Sequence, residues 1–203
     1  MTTQPLSTGR LHCSFSISSR AEADRVLSCL SLGFSADPVA RWLYPEPASF
    51  LAHYPRVADL FGGRAFEHSA AYRNDDFTAA ALWLPPGVHP DEEGLISCFE
   101  KTVAADKLDR LFSLFEQMAR YHPDEPCRHL AFIAVDPARQ GKGLGAALLE
   151  EGLRQCDRDG IPAYLESTNP ANLSLYRRHG FEQIGLIEAE GAPSLFPMLR
   201  PTH

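Results

Sequence analysis

The chain of 203 residues contains no apolar run close to the roughly 20 residues that a membrane-spanning helix needs. Its first 15 residues include no apolar segment of the kind that a secretory signal peptide carries, so we expect no signal peptide. The five cysteines are scattered, odd in number and without a CxxC pair, which favours reduced thiols. These absences predict a protein of the cytoplasm with no membrane partner.

Positive charge is also scarce. There are 19 lysines and arginines against 26 aspartates and glutamates, which gives a formal net charge of −7. Nucleic acids are bound by basic surfaces, so this excess of acid argues against nucleic acid as a partner. No internal repeat is visible, and the hydrophobic content of 44% is ordinary for a globular protein. The length allows one domain or two small ones, and the presence of a single glycine-rich loop together with the lack of repeats favours one domain.

The stretch from Leu130 to Phe181 carries the motifs of this sequence. It begins with the apolar run Leu130–Val135, which predicts a strand buried on both faces. After Asp136-Pro137, the glycine-rich segment Gln140–Gly145 leads into a helical pattern. Glycine allows a ligand to approach the backbone closely, and the first N–H groups of a helix attract anions. The segment therefore predicts a turn that binds phosphate.

Two common phosphate-binding motifs do not fit this turn. A P-loop requires Ser or Thr after its GK pair, whereas Gly143 follows Lys142 here. A dinucleotide fingerprint requires GxGxxG, and the spacing here is GxGxG. The pattern Gln140-x-x-Gly143-x-Gly145 after an apolar strand resembles instead the acetyl-CoA loop of the GCN5-related N-acetyltransferase (GNAT) superfamily.

A second motif supports the same resemblance. Asn169, Asn172, Tyr176 and Gly180-Phe181 follow Glu166 in a pattern similar to the superfamily's strand, its helix with asparagine and tyrosine, and its closing turn. Two motifs in the right order make the match specific. The wider layout of residues 30–200 is similar to puromycin N-acetyltransferase and its relatives.

The resemblance implies an α/β fold of the GNAT type. Its central sheet is mixed and mostly antiparallel, splays after the acetyl-CoA strand, and carries helices on both faces. We expect residues 1–14 to be a tail or an edge strand and residues 15–203 to form a single N-acetyltransferase domain. Within that domain we expect a helical insertion at about 92–121 and the acetyl-CoA core at 129–181.

Local patterns predict the other elements. Helices are expected over Ser19–Leu32, after the cap Asp37, over Ser49–Leu60, from Leu95, and over Lys107–Tyr121. Strands are expected as a hairpin of Ala65–Tyr72 and Phe77–Leu84, and as the terminal pair Glu182–Glu188 and Ser194–Leu199.

The resemblance also implies a cosubstrate, acetyl-CoA, and no metal. The pyrophosphate would bind the amides of the glycine turn, and the pantetheine arm would bind backbone groups of the acetyl-CoA strand. The Val135 N–H is expected near the oxyanion. The expected acetyl-CoA contacts are Ile133, Ala134, Val135, Arg139, Gln140, Gly141, Lys142, Gly143, Leu144, Gly145, Ala146, Asn169, Asn172 and Tyr176.

Two side chains are candidates for acid and base catalysis. Tyr176 lies four residues after Asn172, hence on the same helix face, and could protonate the departing thiolate; alternatively it is a core aromatic. His129 lies six residues before Val135, so the two are expected on one strand face. His129 could take the proton of the amine, or it could be a hydrogen-bonded strand histidine. The alternative bases are Glu92, Glu93, Glu125 and Glu166.

The acceptor is expected to be a primary amine of a small molecule or a peptide. The expected acceptor contacts are Phe34, Trp42, Tyr44 and Glu166; the three aromatic residues fit the core equally well. A zinc site at His122, Cys127 and His129 is not expected, because the spacing is poor. An acyl-CoA-binding regulatory module without catalysis, another acyl donor and a hydroxyl acceptor stay open. Monomer and homodimer also stay open.

Overall fold

The computed structural model describes residues 14–202, so the expected tail or edge strand of residues 1–14 lies almost wholly outside the described residues. Seven strands form one sheet in the order β1-β2-β3-β4-β5-β7-β6. They are β1 (Phe15–Ile17), β2 (Ala71–Asn74), β3 (Ala79–Leu84), β4 (Arg128–Val135), β5 (Ala163–Ser167), β6 (Glu182–Gln183) and β7 (Phe196–Arg200). Only the pair β4–β5 among them is parallel. The expected mixed, mostly antiparallel sheet is confirmed.

Helices cover both faces of this sheet. They are α1 (Ala23–Gly33), α2 (Pro38–Leu43), α3 (Pro47–Gly62), α4 (Glu92–Thr102), α5 (Ala105–Tyr121), α6 (Leu144–Asp159) and α7 (Leu173–Arg178). Contacts at three glycines show which face of the sheet each helix covers. Gly33 of α1 and Gly62 of α3 lie against Ala134 and Phe132 on one face, whereas Gly152 of α6 lies against Trp83 on the other. Among the helices of residues 14–202, none has the length and hydropathy that a membrane span requires. The limits of the domain and of its insertion stay predictions.

The predicted start of α2 is confirmed at its cap. The Asp37 carboxylate accepts hydrogen bonds from the N–H groups of Val39 and Ala40, each at 3.0 Å, and Pro38 is the first helical residue. A proline costs nothing at this position because its missing N–H would have no partner in the helix. This cap also fixes Asp37 as a buried carboxyl group beside the centre of the sheet.

Two predicted strands are wrong in extent. Residues Gly63–Phe66 form a 3₁₀ turn after α3, and β2 begins only at Ala71. The predicted strand Glu182–Glu188 is paired only at Glu182–Gln183, with one isolated bridge from Ile187 to Leu195. In between, Gly185 passes so close to the ring of Tyr121 that a Cβ atom there would overlap it. Packing against α5 therefore draws this segment away from its strand partner.

A β-bulge interrupts the register between β3 and β4. Leu82 lies opposite Phe132, but Trp83 lies opposite Leu130, so Ala131 has no partner in β3. An extra residue of this kind reverses the alternation of side chains beyond it. The bulge therefore sets which side chains of β4 face the helices α1 and α3.

The prediction that His129 and Val135 lie on the same face of β4 is wrong because of this bulge. His129 lies opposite Leu84, and Val135 lies opposite Ala79. Residues directly opposite one another share a face, and Leu84 and Ala79 are an odd number of residues apart. His129 therefore lies on the face of α1 and α3, whereas Val135 lies on the face of α6.

The contact between Trp83 and α6 gives a stability prediction. Trp83 is fully buried, and a Cβ atom on Gly152 would overlap its indole ring. Gly152→Ala is therefore expected to destabilise the protein by about 1–3 kcal/mol, measured by urea unfolding, although alanine favours helices. Gly145→Ala in the same helix is the control, because its Cβ would lie 3.6 Å from the nearest atom. Equal unfolding free energies for the two variants would contradict this packing.

Candidate active site

A gap opens between β4 and β5. The two strands pair only at Arg128 with Ala163 and at His129 with Tyr164, after which they diverge. The expected splay is thus confirmed. On the other side of β4, the N–H of Asp136 donates a hydrogen bond of 2.8 Å to the carbonyl of Thr78, the residue before β3.

In an antiparallel ladder, the backbone N–H and C=O groups of successive residues point alternately to the strand on one side and the strand on the other. This alternation gives the direction of the backbone groups of β4 between the bulge and Asp136. Those of Ala134 face β3, and those of Ile133 and Val135 face the gap. An extended ligand with amide groups can pair with such an open strand edge. Of the three strand residues expected to bind the pantetheine arm, Ile133 and Val135 are therefore oriented for it and Ala134 is not.

The glycine turn closes one end of the gap. Gly141 has φ of +75° and Gly143 has φ of +81°, a conformation that glycine adopts far more easily than other residues. Gly143 caps α6, whose first N–H groups have no partner in the helix. A Cβ atom on Gly141 or Gly143 would have no atom of residues 14–202 within 4 Å, apart from its chain neighbours, so the described part of the chain leaves the space at these two positions open. The turn is built as an open anion cradle.

Polar side chains in this turn have different roles. The Gln140 amide donates to the Val135 carbonyl at 3.1 Å and so ties the turn to the end of β4. Arg139 lies 3.9 Å from the exposed carboxylate of Asp76, and Lys142 is exposed. Arg139 and Lys142 therefore supply positive charge at the surface of the cradle, whereas Gln140 shapes it. Leu144 and Ala146 contribute backbone amides of the first turn of α6.

A cavity lies at the other end of the gap, and we call it the central cavity. It is lined by residues of β4 around the bulge, by the first helices and by the α7 region, among them Phe34, Asp37, Leu130, Ala131, Phe132, Ile133, Glu166, Thr168, Asn172 and Tyr176. Val135 does not line it and lies instead beside the glycine turn. The expectation that the Val135 N–H lies near the oxyanion stays a prediction, and the bulge at Ala131 is the part of β4 that lines the cavity.

Tyr176 faces the central cavity. Its side chain is buried, and burial together with the charge of Asp37 raises the pKa of its phenol. The hydroxyl has no hydrogen-bond partner among residues 14–202, so it is available to a ligand. Asn172, one turn earlier, is exposed and its side chain caps nothing, whereas the Asn169 side chain accepts from the Ala171 N–H at 3.0 Å. Asn169 thus shapes the turn before α7, and Asn172 is left free for a ligand.

His129 and Glu166 form a buried pair. His129 Nε2 lies 2.8 Å from Oε2 of Glu166, and the two side chains are only 8% and 5% exposed. The register explains the contact, because His129 lies beside Tyr164 and Glu166 is two residues further along the same face of β5. The carboxylate fixes the orientation of the imidazole, as in other carboxylate–histidine pairs.

Two further aromatic residues surround this pair. The His122 ring lies 5.7 Å from that of His129 and 5.1 Å from that of Tyr164. The Tyr164 hydroxyl is buried and has no hydrogen-bond partner among the described residues 14–202, and burial and the Glu166 charge raise the pKa of Tyr164. From the sequence, His122 is a candidate only for a metal site that is not expected. Its position beside His129 depends on the path of the segment between α5 and β4, for which the sequence carries no signal.

Acid is expected to destabilise the fold through His122. Burial, and then the neighbouring His129, lowers the pKa of His122. A base whose pKa is lower in the folded than in the unfolded protein binds fewer protons when folded, so stability falls as pH drops through the ordinary histidine range. His122→Gln should reduce this fall, measured by urea unfolding at about pH 7 and about pH 5. His68→Gln, at an exposed histidine, is the control, and equal pH dependence in both variants would contradict the prediction.

A second cavity, which we call the lateral cavity, extends from the His129–Glu166 pair between α4, α5 and the sheet. Its volume is about 600 Å³. It is lined by Phe61, Val88, His89, Pro90, Glu92, Leu95, Ile96, Phe99, Phe112, Phe115, Glu116, Met118, Ala119, His122, His129 and Glu166. Phe61, Phe99, Phe115, Met118 and Glu166 also line the central cavity, so the two cavities are adjacent.

The expected acceptor residues are only partly brought together. Phe34 and Glu166 line the central cavity. Tyr44 is 1% exposed and its hydroxyl lies 2.8 Å from that of Thr102, and Trp42 packs against Lys107. Neither Trp42 nor Tyr44 lines the central or the lateral cavity, so both fit the core alternative.

The other candidates lie apart from the pair. Among the alternative bases, Glu93 and Glu125 are exposed and line neither cavity, and Glu92 lies at the rim of the lateral cavity. Burial raises the pKa of the Cys127 thiol to about 11, so it is not in the thiolate form that binds metals. Within residues 14–202, no group of three or more metal-binding side chains is arranged around a common point.

Comparison with known proteins agrees with this geometry. Residues 110–181 match the profile of the acetyltransferase (GNAT) family. A mycothiol acetyltransferase of Streptomyces avermitilis is 37% identical over 147 residues, covering 70% of this chain and 39% of the relative. An uncharacterized N-acetyltransferase of Schizosaccharomyces pombe is 30% identical over 118 residues, covering 52% and 48%. The chain thus spans less than half of the length of these relatives.

A solved structure extends the likeness over nearly the whole chain. It is described as a histone acetyltransferase and related acetyltransferase of Corynebacterium glutamicum, with a TM-score of 0.68 and 24% identity. The match covers 94% of this chain and 97% of that one, and it shows the fold. The closer likeness to puromycin N-acetyltransferases stays a prediction.

Proposed function

We propose, from its membership of the acetyltransferase (GNAT) superfamily, that this chain transfers an acetyl group from acetyl-CoA directly to a primary amine of a small molecule or a peptide. One observation carries the proposal. The gap beside β4 has an open anion cradle at one end, and the free hydroxyl of Tyr176 and the His129–Glu166 pair lie by the cavities at the other. Acetyl-CoA is a phosphate-bearing ligand with an extended, amide-containing arm and a reactive thioester at its tip.

The chain's own residues would hold the cosubstrate along this gap. Backbone amides of the Gly143–Ala146 turn would bind the pyrophosphate, with Arg139 and Lys142 adding charge. Backbone groups of Ile133 and Val135 would pair with the amides of the arm, and the free side chain of Asn172 would contact it. The arm would therefore take the place of the strand pairing that β4 and β5 lack after His129.

His129 would act as the base. It accepts a proton from the acceptor ammonium, directly or through a water molecule, while Glu166 stabilises the imidazolium that forms. The neutral amine then attacks the thioester carbonyl carbon, and the carbonyl oxygen takes up negative charge beside the bulge at Ala131. As the C–S bond breaks, the oxyanion returns to a carbonyl, the attacking nitrogen loses its extra proton to water to give the neutral amide, and CoA leaves as a thiolate. The proton on His129 is later lost to solvent.

Tyr176 would act on the leaving thiolate. Its raised pKa keeps the phenol protonated at neutral and mildly alkaline pH, so it can donate a hydrogen bond to the sulfur. Thiols of this kind have pKa values near 8.5, below that of a phenol, so full transfer of the proton to the thiolate is energetically unfavourable. Where it occurs, the tyrosinate recovers a proton from solvent.

Tyr176→Phe is expected to lower kcat about ten- to hundredfold with little change in the KM for acetyl-CoA, because only the departing sulfur loses a partner. The measurement is release of free CoA thiol with a saturating amine. Tyr72→Phe, at a buried tyrosine of β2 that lines neither cavity, is the control. An unchanged kcat in Tyr176→Phe would favour the alternative in which Tyr176 is a core aromatic.

A panel of amines tests the reaction as a whole. The protein is incubated with acetyl-CoA and each amine, and both the CoA thiol and the acetylated product are measured. Binding of acetyl-CoA by calorimetry without product from any amine would contradict the proposal and support a regulatory acyl-CoA-binding module. Faster turnover with propionyl-CoA, or product acetylated on a hydroxyl group, would contradict the donor or the acceptor assigned here.

A further inference from the structure

The lateral cavity indicates which kind of amine this site accepts. Building on the proposed acetyl transfer, we infer that the acceptor is a monoamine with an aromatic or branched alkyl body. The body would lie in the lateral cavity between α4, α5 and the sheet, with the amino group at the His129–Glu166 pair.

The position of the cavity supports this inference. His129 and Glu166 line its inner end, and Glu166 also lines the central cavity that Tyr176 faces. A molecule in the lateral cavity therefore ends where the thioester would be placed. Because donor and acceptor enter from different directions, both can be bound before the reaction begins.

The lining is aromatic and aliphatic. Phe61, Phe99, Phe112 and Phe115 surround it, together with side chains such as Ile96, whose exposed fraction of 47% places apolar surface at the rim. Aromatic side chains of this kind gain energy from stacking with an aromatic ligand in addition to burial of area. The volume of about 600 Å³ lies in the range of sites that bind small organic molecules.

Charges on the lining favour a single ammonium group. Glu92 and Glu116 are exposed carboxylates at the rim, and Glu166 is the buried carboxylate at the inner end. No lysine or arginine lines either cavity within residues 14–202. Acidic rims attract cations from solution, and the inner carboxylate compensates the one charge that is buried.

The same lining disfavours two other classes of amine. A diamine or polyamine would place its second ammonium either among the phenylalanines, where burial of an unpaired charge is costly, or at the exposed rim carboxylates Glu92 and Glu116, where solvent weakens the ion pair. A peptide would bring several amide groups into a lining whose middle part is phenylalanine, which offers them no hydrogen-bond partners. A monoamine is therefore the acceptor that this lining favours.

Three amines represent these classes: 2-phenylethylamine, putrescine and a trialanine peptide with a free α-amine. The inference expects kcat/KM for 2-phenylethylamine to exceed that for the other two about tenfold or more. A higher kcat/KM for putrescine or trialanine would overturn the inference while leaving acetyl transfer intact.

A variant locates the amine body. Phe112 lines the lateral but not the central cavity, so Phe112→Ala should lower kcat/KM for 2-phenylethylamine about tenfold or more without changing the KM for acetyl-CoA. Leu108→Ala, an apolar truncation on the same helix outside both cavities, should leave both values unchanged. Equal effects of the two variants would overturn the assignment of the lateral cavity.

Binding measured without turnover keeps this test separate from the reaction. Calorimetric titration of 2-phenylethylamine into the protein saturated with CoA should show binding to the wild type and weaker binding to Phe112→Ala. Binding without product from any amine would overturn the proposed transfer but support the cavity assignment. If neither binding of 2-phenylethylamine nor acetylated product is detected, the inference of a monoamine acceptor is overturned.

Discussion

His129→Gln is expected to lower kcat for amine acetylation about a hundredfold or more, which is the usual size of a lost general base. Glutamine can keep a hydrogen bond to Glu166, so the pocket should stay folded while the proton acceptor is removed. The affinity for acetyl-CoA should not change, because the glycine turn lies at the other end of the gap. Rates of CoA release at saturating amine and acetyl-CoA measure the effect.

A second histidine–carboxylate pair provides the control. His179 Nε2 lies 3.6 Å from Glu150, outside both cavities, so His179→Gln should leave kcat unchanged. Glu166→Gln should fall between the two, since it weakens the stabilisation of a charged imidazole without removing it. Full activity in His129→Gln would mean that the base is another group, of which Glu166, in contact with His129, is the nearest candidate by position.

Gly145→Asp is expected to raise the Kd for acetyl-CoA about a hundredfold or more while leaving the protein at least as stable. A Cβ atom at Gly145 would be 3.6 Å from Val135 and 4.0 Å from Leu175, so there is room for a side chain. A carboxylate in the first turn of α6 interacts favourably with the helix dipole, and replacing glycine favours the helix. The same carboxylate would repel a pyrophosphate bound to the amides of this turn.

Gly145→Asn separates charge from size. Asparagine has nearly the same volume as aspartate without its charge, so its Kd should lie between those of the wild type and Gly145→Asp. Calorimetric titration with acetyl-CoA, together with urea unfolding, gives both quantities. If Gly145→Asp binds acetyl-CoA as the wild type does, the pyrophosphate is not bound at this turn.

Features encoded locally could be read from the sequence. The glycine turn is an example, because positive φ at Gly141 and Gly143 requires the residue type that stands there. The cap at Asp37 followed by Pro38 is another, since both residues act within their own helix turn. The apolar run of β4 likewise predicts a central strand, as observed, although Ala131, Ile133 and Val135 are only half-buried, so the expected burial on both faces is met in part.

Features that depend on neighbouring strands could not be read in this way. Ala131 is an ordinary alanine in an apolar run, and only the register against β3 makes it a bulge that turns His129 away from the face of Val135. The contact of His129 with Glu166 likewise depends on the register between β4 and β5, because the two residues are far apart in the sequence. The expectation that Trp42 and Tyr44 contact the acceptor depends on residue type and on the family's use of this segment, and the structure places neither residue at the central or the lateral cavity.

The position of α4 and α5 has a consequence for how related proteins diverge. These helices occupy one continuous piece of chain, Glu92–Tyr121, inserted between β3 and β4, whereas the glycine turn, α6 and α7 all follow β4. Substitutions or length changes in that piece can therefore reshape the lateral cavity without disturbing the donor side. Under selection, gene copies could thus acquire new amine preferences while inheriting the rest of the machinery unchanged. An engineer could exchange the same piece to change specificity.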